Sequence, residues 1–443
     1  MSHYISITAD ERAEMLKTIG VEHVADLFAV VPEAVRFPQV DLPPAISEIE
    51  LRRELGAMAA RNANPTTQSV FLGAGAYNHF VPSAVDQILR RAEFYTSYTP
   101  YQPEISQGTL QAIFEYQSLI CALSGMDVAN ASHYDGGTAL AEAALMAVAA
   151  TRNRRTIVVA PSVNPQYRAV LRTYVQAAGI RILGDERPDA TNDDLLALVD
   201  NTTAALILQS PDFFGALHDL KPLVERAHAA GALLIAHFDP IGLGLFQTPG
   251  EAGADIATAE GQPLGVGLSF GGPYLGIFTC NEKYVRKMPG RLAGATLDLN
   301  GQLGYVLTLQ AREQHIRREH ATSNICTNQG LMALAAAVYL GLVGRQGLRR
   351  LAELCYHRAH YAAAQIANVP GYAVVDRGPF FKEFIVRCPR PVAEINAVLR
   401  ERNIIGGYDL AHDYPHLGNA MLLCVTEMNS KADIDDLVEA LKG

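Results

Sequence analysis

Short β runs alternate with helical runs from residue 66 to residue 328, and this alternation predicts an α/β protein built on a mainly parallel sheet. Two further observations agree. The β runs are continuously apolar, as strands are when helices cover both faces of a sheet. Hydrophobic residues make up 49% of the 443-residue chain and charged residues 19%, which is enough apolar material for large buried cores.

The elements follow in order. Residues 1–65 read as an N-terminal helical arm and extended linker. In "TADERAEMLKTIGVEHVADLFA" (8–29), Thr8 and Glu11 have capping-box spacing, and Met15, Leu16, Ile19, Val24 and Leu27 mark an apolar side. The following "VPEAVRFPQVDLPPAIS" is punctuated by proline and reads as extended. Residues 66–328 form a large α/β domain. Its β runs are "SVFLG" (69–73), "TIVVA" (156–160), "IRIL" (180–183), "AALILQ" (204–209), "ALLIAH" (232–237) and "YLGIFT" (274–279). Helical runs at 138–152, 165–179, 192–201 and 219–231 separate them, and a charged helical stretch is expected over 308–344. Residues 329–443 read as a small C-terminal α/β domain, with strands at 380–389 and 420–427.

Composition excludes some functions. The net charge of −10 argues against a nucleic-acid or anionic-membrane surface. Six scattered cysteines without a CxxC pair suggest neither a metal site nor a disulfide framework, and fit a reducing cytoplasm. The N-terminus lacks a basic region followed by an apolar run, so no signal peptide is expected. The stretch "LMALAAAVYLGLVG" is too short and too rich in small residues to predict a membrane span.

Four segments carry candidate chemistry. "AEFYTSYTPYQPEISQGTLQ" presents Tyr95, Tyr98 and Tyr101 from a loop that Pro100 and Pro103 keep non-helical. Such rings with polar tips suit the mouth of a small-molecule site, or a loop packed on its own domain. "ASHYDGGTALAEA" places Gly136, Gly137 and Thr138 at a helix start, an anion pocket in many proteins, with His133 as a ring able to stack on a flat cofactor. Asp239 ends the run "IAHFDP", either as an acid for a pyridinium nitrogen or as a turn cap before Pro240. "REQHIRREHATSNICTNQG" (312–330) sets Thr322, Ser323, Asn324 and Thr327 beside arginines, which fits a phosphate site or a solvated helix followed by a cap.

Taken together these segments resemble the glycine decarboxylase (P-protein) family of the glycine cleavage system over essentially the whole chain. "FYTSYTPYQPEISQGTLQ", "SHYDGGTALAEA", "LSFGGPYLGIF", "GRLAGATLD" and "REQHIRREHATSNICTNQ" carry the resemblance. It is to the N-terminal half, or to the first subunit where the family is split in two. The resemblance implies a pyridoxal phosphate (PLP)-dependent transferase fold of type I, aspartate-aminotransferase-like. It also implies that the Schiff-base lysine belongs to a partner subunit. Here the equivalent stretch reads "AEGQPLGVGLSFGGPYLG", with Gln262 or Pro263 near the lysine's place, and no lysine lies between Lys221 and Lys283. PLP is therefore expected on the partner and not covalently on this chain. His133, Gly137, Thr138, Asp239 and Gln262 become a vestigial cofactor site. The family reaction takes carbon dioxide from glycine and passes the aminomethyl group to the lipoyl arm of H-protein. On this reading Tyr95, Tyr98 and Tyr101 contribute to the partner's glycine pocket, and Thr322, Ser323 and Thr327 to its cofactor phosphate, in a heterotetramer of two copies of each subunit. A lysine-independent PLP or pyridoxamine-phosphate enzyme and a non-catalytic scaffold are the alternatives.

Overall fold

The computed structural model describes residues 6–152, 154–321 and 323–443. The chain divides into two compact units, residues 1–62 and 63–443. In the first, helices Ala9–Ile19 and Glu48–Ala59 each begin with a capping box, Thr8 with Glu11 and Ser47 with Glu50. The first of these is the box expected from the sequence. Neither helix has a buried residue.

The second unit is built on a seven-stranded sheet. Its strands in chain order are β1 (Val128–Ala129), β2 (Thr156–Val159), β3 (Arg181–Leu183), β4 (Thr203–Ser210), β5 (Leu233–Phe238), β6 (Ile256–Glu260) and β7 (Gly276–Cys280). In space they run β1-β7-β6-β5-β4-β2-β3. The pairs β3–β2, β2–β4, β4–β5 and β5–β6 are parallel, while β7 is antiparallel to both its neighbours. Every residue of β2, β5, β6 and β7 is buried. That is why these runs are apolar throughout instead of alternating. Helix α1 (Gly136–Ala150) packs across the middle of the sheet, and eleven of its residues are buried.

Residues 373–424 contribute a four-stranded antiparallel sheet, Ala373–Val374, Glu383–Arg387, Ala420–Cys424 and Tyr408–Asp409 in spatial order. Helix α2 (Gly330–Ile366) joins the two cores. Ala333, Ala336 and Tyr339 lie in the core of the large sheet, whereas Ala359, Ala362 and Ile366 lie in that of the small one. The helix is kinked at Gly344, where φ is +60°. It is long and apolar enough to cross a membrane by length and composition, but its inward face is spent on these cores.

Three sequence expectations change. "SVFLG" does not enter the large sheet: Ser69 and Val70 pair in parallel with Ile404 and Ile405, and Phe71 is buried in the small core. The continuous helix over 308–344 is broken. Only Gln314–Arg317 is α-helical before Gly330, Arg318 takes φ +52°, and the Ser323 hydroxyl accepts from the Ile325 N–H, local bonding that competes with helix. Strand β6 and the hairpin Leu292–Leu297 with Leu303–Thr308 were not expected. "IATAE" is short and carries two alanines, poor strand formers, whereas Asn300-Gly301 in the hairpin loop is a turn signal present in the sequence.

Candidate functional site

Two neighbourhoods contain the predicted site residues. The first lies at the carboxyl end of β5. Asp239 follows directly, and its Oδ1 accepts the N–H groups of Ile241 and Gly242 at 2.9 and 3.1 Å, which is the turn-capping role. Its Oδ2 meets Lys382 Nζ at 2.6 Å, with the lysine side chain only 2% exposed. Burial alone would push the Lys382 ammonium down and the Asp239 carboxyl up. Their mutual attraction wins in each, holding lysine above and aspartate below its ordinary range.

Lys382 makes further contacts. Its Nζ lies 3.1 Å from His79 Nε2 and 3.6 Å from the centre of the Tyr77 ring, a cation–π contact. His79 Nδ1 bonds Glu427 at 2.7 Å, and Glu427 accepts the Phe80 N–H at 2.7 Å. Burial opposes ionisation of Glu427, but the His79 contact prevails and its carboxyl falls to about 2. Tyr77 donates to Glu383 Oε2 at 2.8 Å. Burial pushes the Glu383 carboxyl up to about 7. Gly215 faces this group with φ +89°, and a Cβ there would stand 1.9 Å from the Glu383 carbonyl oxygen, so only glycine fits.

At the start of α1, Asp135 and Thr138 form a capping box, and Thr138 N–H donates to Asp135 Oδ1 at 2.7 Å. The Gly136 N–H donates to Glu260 at the end of β6, 2.9 Å away. The same carboxylate accepts from Gln262 N at 2.9 Å and Leu275 N at 3.1 Å. Burial raises the Glu260 carboxyl to about 8 against these three bonds. Gly137 lies against Tyr167. Gln262 is fully engaged: Oε1 accepts from Tyr77 N at 2.9 Å, and Nε2 donates to the carbonyls of Tyr77 and Val266 at 2.9 and 2.8 Å. His133 is completely buried, 4.9 Å from Phe278 between ring centres, and neither ring nitrogen has a partner. It does not line the cavity bounded by Asp239, Glu260 and Lys382.

That cavity decides whether PLP fits this chain. It holds about 30 Å³, room for about two water molecules. The acid suited to a ring nitrogen is paired with Lys382, and two of the N–H groups at the anion-binding helix start are taken by Glu260 and Asp135. No lysine lies between Lys221 and Lys283 in the sequence, and the buried Lys382 that reaches this cavity is committed to Asp239. The residues present do not fit the cofactor.

The second neighbourhood is open. Tyr95 and Tyr98 are 68% and 84% exposed, and they border a cavity of about 230 Å³ together with Thr327, Asn328 and Leu331 at the start of α2. The structure thus brings together residues far apart in sequence that were expected to serve one site. Tyr101 does not line this cavity. It turns to Arg291, whose Nη2 donates to the Tyr101 hydroxyl at 3.2 Å and to the Cys326 carbonyl, and whose Nη1 donates to Asn328 Oδ1 at 3.3 Å. Arg291, only 4% exposed, ties the tyrosine loop to the 326–328 segment. Ser323 borders a different cavity with Tyr174 and Arg318, and Thr322 lies outside the described residues.

The sequence reading passed over Lys382, Glu260, Tyr77, His79, Glu383, Glu427 and Arg291 as site residues. One signal was present: Lys382 and Glu383 interrupt the apolar run "PFFKEFIVRC", and charges inside a buried strand need partners.

The family model for the glycine cleavage system P-protein matches residues 2–441. A protein of Thermomicrobium roseum described as probable glycine dehydrogenase (decarboxylating) subunit 1 is 57% identical over 438 residues, covering 98% of each chain. The crystal structure of a glycine decarboxylase (P-protein) of the glycine cleavage system, in inhibitor-bound form, superposes with a TM-score of 0.92 at 42% identity, covering 100% of this chain and 99% of that one. A C-DES mutant with glycine covalently linked to its PLP cofactor superposes at 0.61 with 13% identity, covering 88% and 98%, a likeness in fold alone. The architecture is that of the PLP-dependent fold type I enzymes, as expected. The chain belongs to the glycine cleavage system P-protein family.

Proposed function

We propose that this chain is the cofactor-free subunit of a two-subunit glycine decarboxylase. With a PLP-bearing partner it removes carbon dioxide from glycine and passes the aminomethyl group to the lipoyl arm of an H-protein. The relatives named subunit 1 of glycine dehydrogenase support the division into two subunits, and the PLP-dependent neighbours support PLP in the complex. The observation that carries the reading is the contrast within this chain. The place where a type I enzyme holds its cofactor is filled, while a cavity edged by Tyr95, Tyr98 and Thr327 stands open.

When bound in the partner, PLP supplies an electron sink for the decarboxylation. The residues of this chain orient and enclose. Tyr95 and Tyr98 offer hydroxyl donors on rigid rings to a small zwitterion at the mouth of the partner's pocket. Thr327 offers a hydroxyl to an anion. Arg291 holds the two segments in register. The aromatic faces also displace water, which strengthens each polar contact inside. The assembly is a heterotetramer located in the cytoplasm.

The test is reconstitution. Exchange of the glycine carboxyl with bicarbonate is expected only when this chain and its PLP-bearing partner are combined, and Tyr95→Phe is expected to slow it. Unchanged exchange in the Tyr95→Phe complex would remove the tyrosine loop from the site. Exchange by this chain alone would refute the division of labour.

A further inference from the structure

Three of this chain's own groups stand where a phosphorylated pyridine would need contacts. Lys382 Nζ is 2.6 Å from Asp239 Oδ2, the position of a protonated ring nitrogen. The Glu260 carboxylate accepts the Gly136 N–H at 2.9 Å at the start of α1, the position of an anionic phosphate oxygen. Tyr77 lines the same cavity, with Lys382 Nζ 3.6 Å from its ring centre. These groups belong to different parts of the unit. Asp239 ends β5 of the large sheet, while Lys382 immediately precedes a strand of the small one, Glu383–Arg387. A cofactor held by the large sheet and capped by the small one would bridge the same two parts.

We propose that Lys382 and Glu260 are an internal replacement for the cofactor. They satisfy the ring-nitrogen acid and the helix start from within the chain, and so hold the two lobes together without a ligand. The cavity is therefore plugged rather than dismantled. Its acid, its helix start and its strand ends are all retained, and withdrawing the two plugging side chains uncovers a site for a phosphorylated pyridine. This goes beyond the partner-serving role of the tyrosine loop and does not depend on it.

The cavity of about 30 Å³ left beside Lys382 and Glu260 has room for about two water molecules and not for a phosphorylated pyridine. Replacing both by alanine removes the long lysine stem and the carboxylate from its wall. Asp239 then keeps its turn bonds to Ile241 and Gly242 but loses its cation, and the N–H groups of Gly136, Gln262 and Leu275 lose their acceptor, so a ring nitrogen and a phosphate would complement the Asp239 Oδ2 and the Gly136 N–H.

The experiment uses the full chain without its partner and pyridoxamine 5′-phosphate as probe, because an amine cannot form adventitious Schiff bases with exposed lysines. Binding is read by the induced circular dichroism of the probe and by the thermal midpoint. The natural chain is expected to show neither signal. Lys382→Ala/Glu260→Ala is expected to bind the probe and to gain several degrees in midpoint on its addition, and adding Asp239→Asn is expected to weaken that binding at least ten-fold. If Lys382→Ala/Glu260→Ala does not fold alone, the probe is expected to restore a cooperative transition. The proposal is overturned if the natural chain binds the probe as well as the variant does. It is also overturned if a folded Lys382→Ala/Glu260→Ala binds none, or if an unfolded one is not rescued. None of these readouts requires the partner or glycine turnover, so failure here leaves the tyrosine-loop reading standing, and the converse also holds.

Discussion

The cavity beneath Lys382 and the cavity beneath Tyr98 belong to one chain but follow opposite rules. In the first, the acidic side chains are drawn into internal partnerships: Asp239 with Lys382, Glu427 with His79, Glu383 with Tyr77, and Glu260 with three backbone N–H groups. In the second, large rings stay in solvent and are positioned from behind by one buried arginine. A site that must hold its own shape is saturated with contacts. A surface kept for another molecule leaves its contacts unmade, and only its supports are fixed.

The largest effect is expected from breaking the first region. Lys382→Met leaves Asp239 buried without its cation, with only its backbone N–H bonds, and should lower unfolding stability by about 3–5 kcal/mol. Adding Asp239→Asn should recover most of that loss in urea titrations. A Lys382→Met chain as stable as the natural one would mean that the pair holds nothing.

Acid should break the same region by another route. The Glu427 carboxyl is held at about 2, below its ordinary 4.5, so its contribution is complete above pH 4.5 and is lost as pH falls through about 2. The difference amounts to about 3 kcal/mol at roughly 1.4 kcal/mol per unit. Thermal midpoints of the natural chain and Glu427→Gln should therefore converge as pH is lowered from 5 to 2. A gap that stays constant would place the stabilisation elsewhere.

The open region should respond in catalysis and not in stability. Tyr95→Phe or Tyr98→Ala should lower glycine–bicarbonate exchange by the reconstituted complex by about 100-fold. Because both rings are mostly exposed, the unfolding midpoint of this chain should barely move. A drop in midpoint matching the drop in rate would make these tyrosines structural.

Arg291→Lys sharpens the comparison with a smaller effect. Lysine keeps the charge but loses the fork that reaches Tyr101, Cys326 and Asn328 together. Exchange activity should fall by about ten-fold, roughly 1.4 kcal/mol. Amide hydrogen exchange should quicken in both residues 95–101 and 326–328. Quickening in one segment alone would show that Arg291 does not tie them.

Much of this was legible in the residues. Continuous apolar runs separated by helices specified a covered parallel sheet, because a strand buried on both faces has no polar side to show. Gln262 and Pro263 stand where the family resemblance places a Schiff-base lysine, no lysine lies between Lys221 and Lys283, and neither side chain can form a Schiff base. Three tyrosines near Pro100 and Pro103 marked a polar, aromatic surface, although Tyr95 ends the short helix Ala92–Tyr95 instead of lying on the loop. These are local properties, and composition over a few residues carries them.

Tertiary structure alone decided how the space at the carboxyl end of β5 is filled, and which residues border the open cavity. Asp239 read equally well as a turn cap or as a ring-nitrogen acid, and it caps a turn while binding Lys382. His79 and Lys382 meet across 303 residues, so no local pattern announces the contact. Thr327 joins Tyr95 and Tyr98 only because a broken helix returns the 326–328 segment to Arg291, whereas neighbouring Ser323 is turned to another cavity. Periodicity encodes which face of an element is buried. It does not encode which distant side chain arrives to neutralise a buried charge, because that partner is selected by the packing of whole layers.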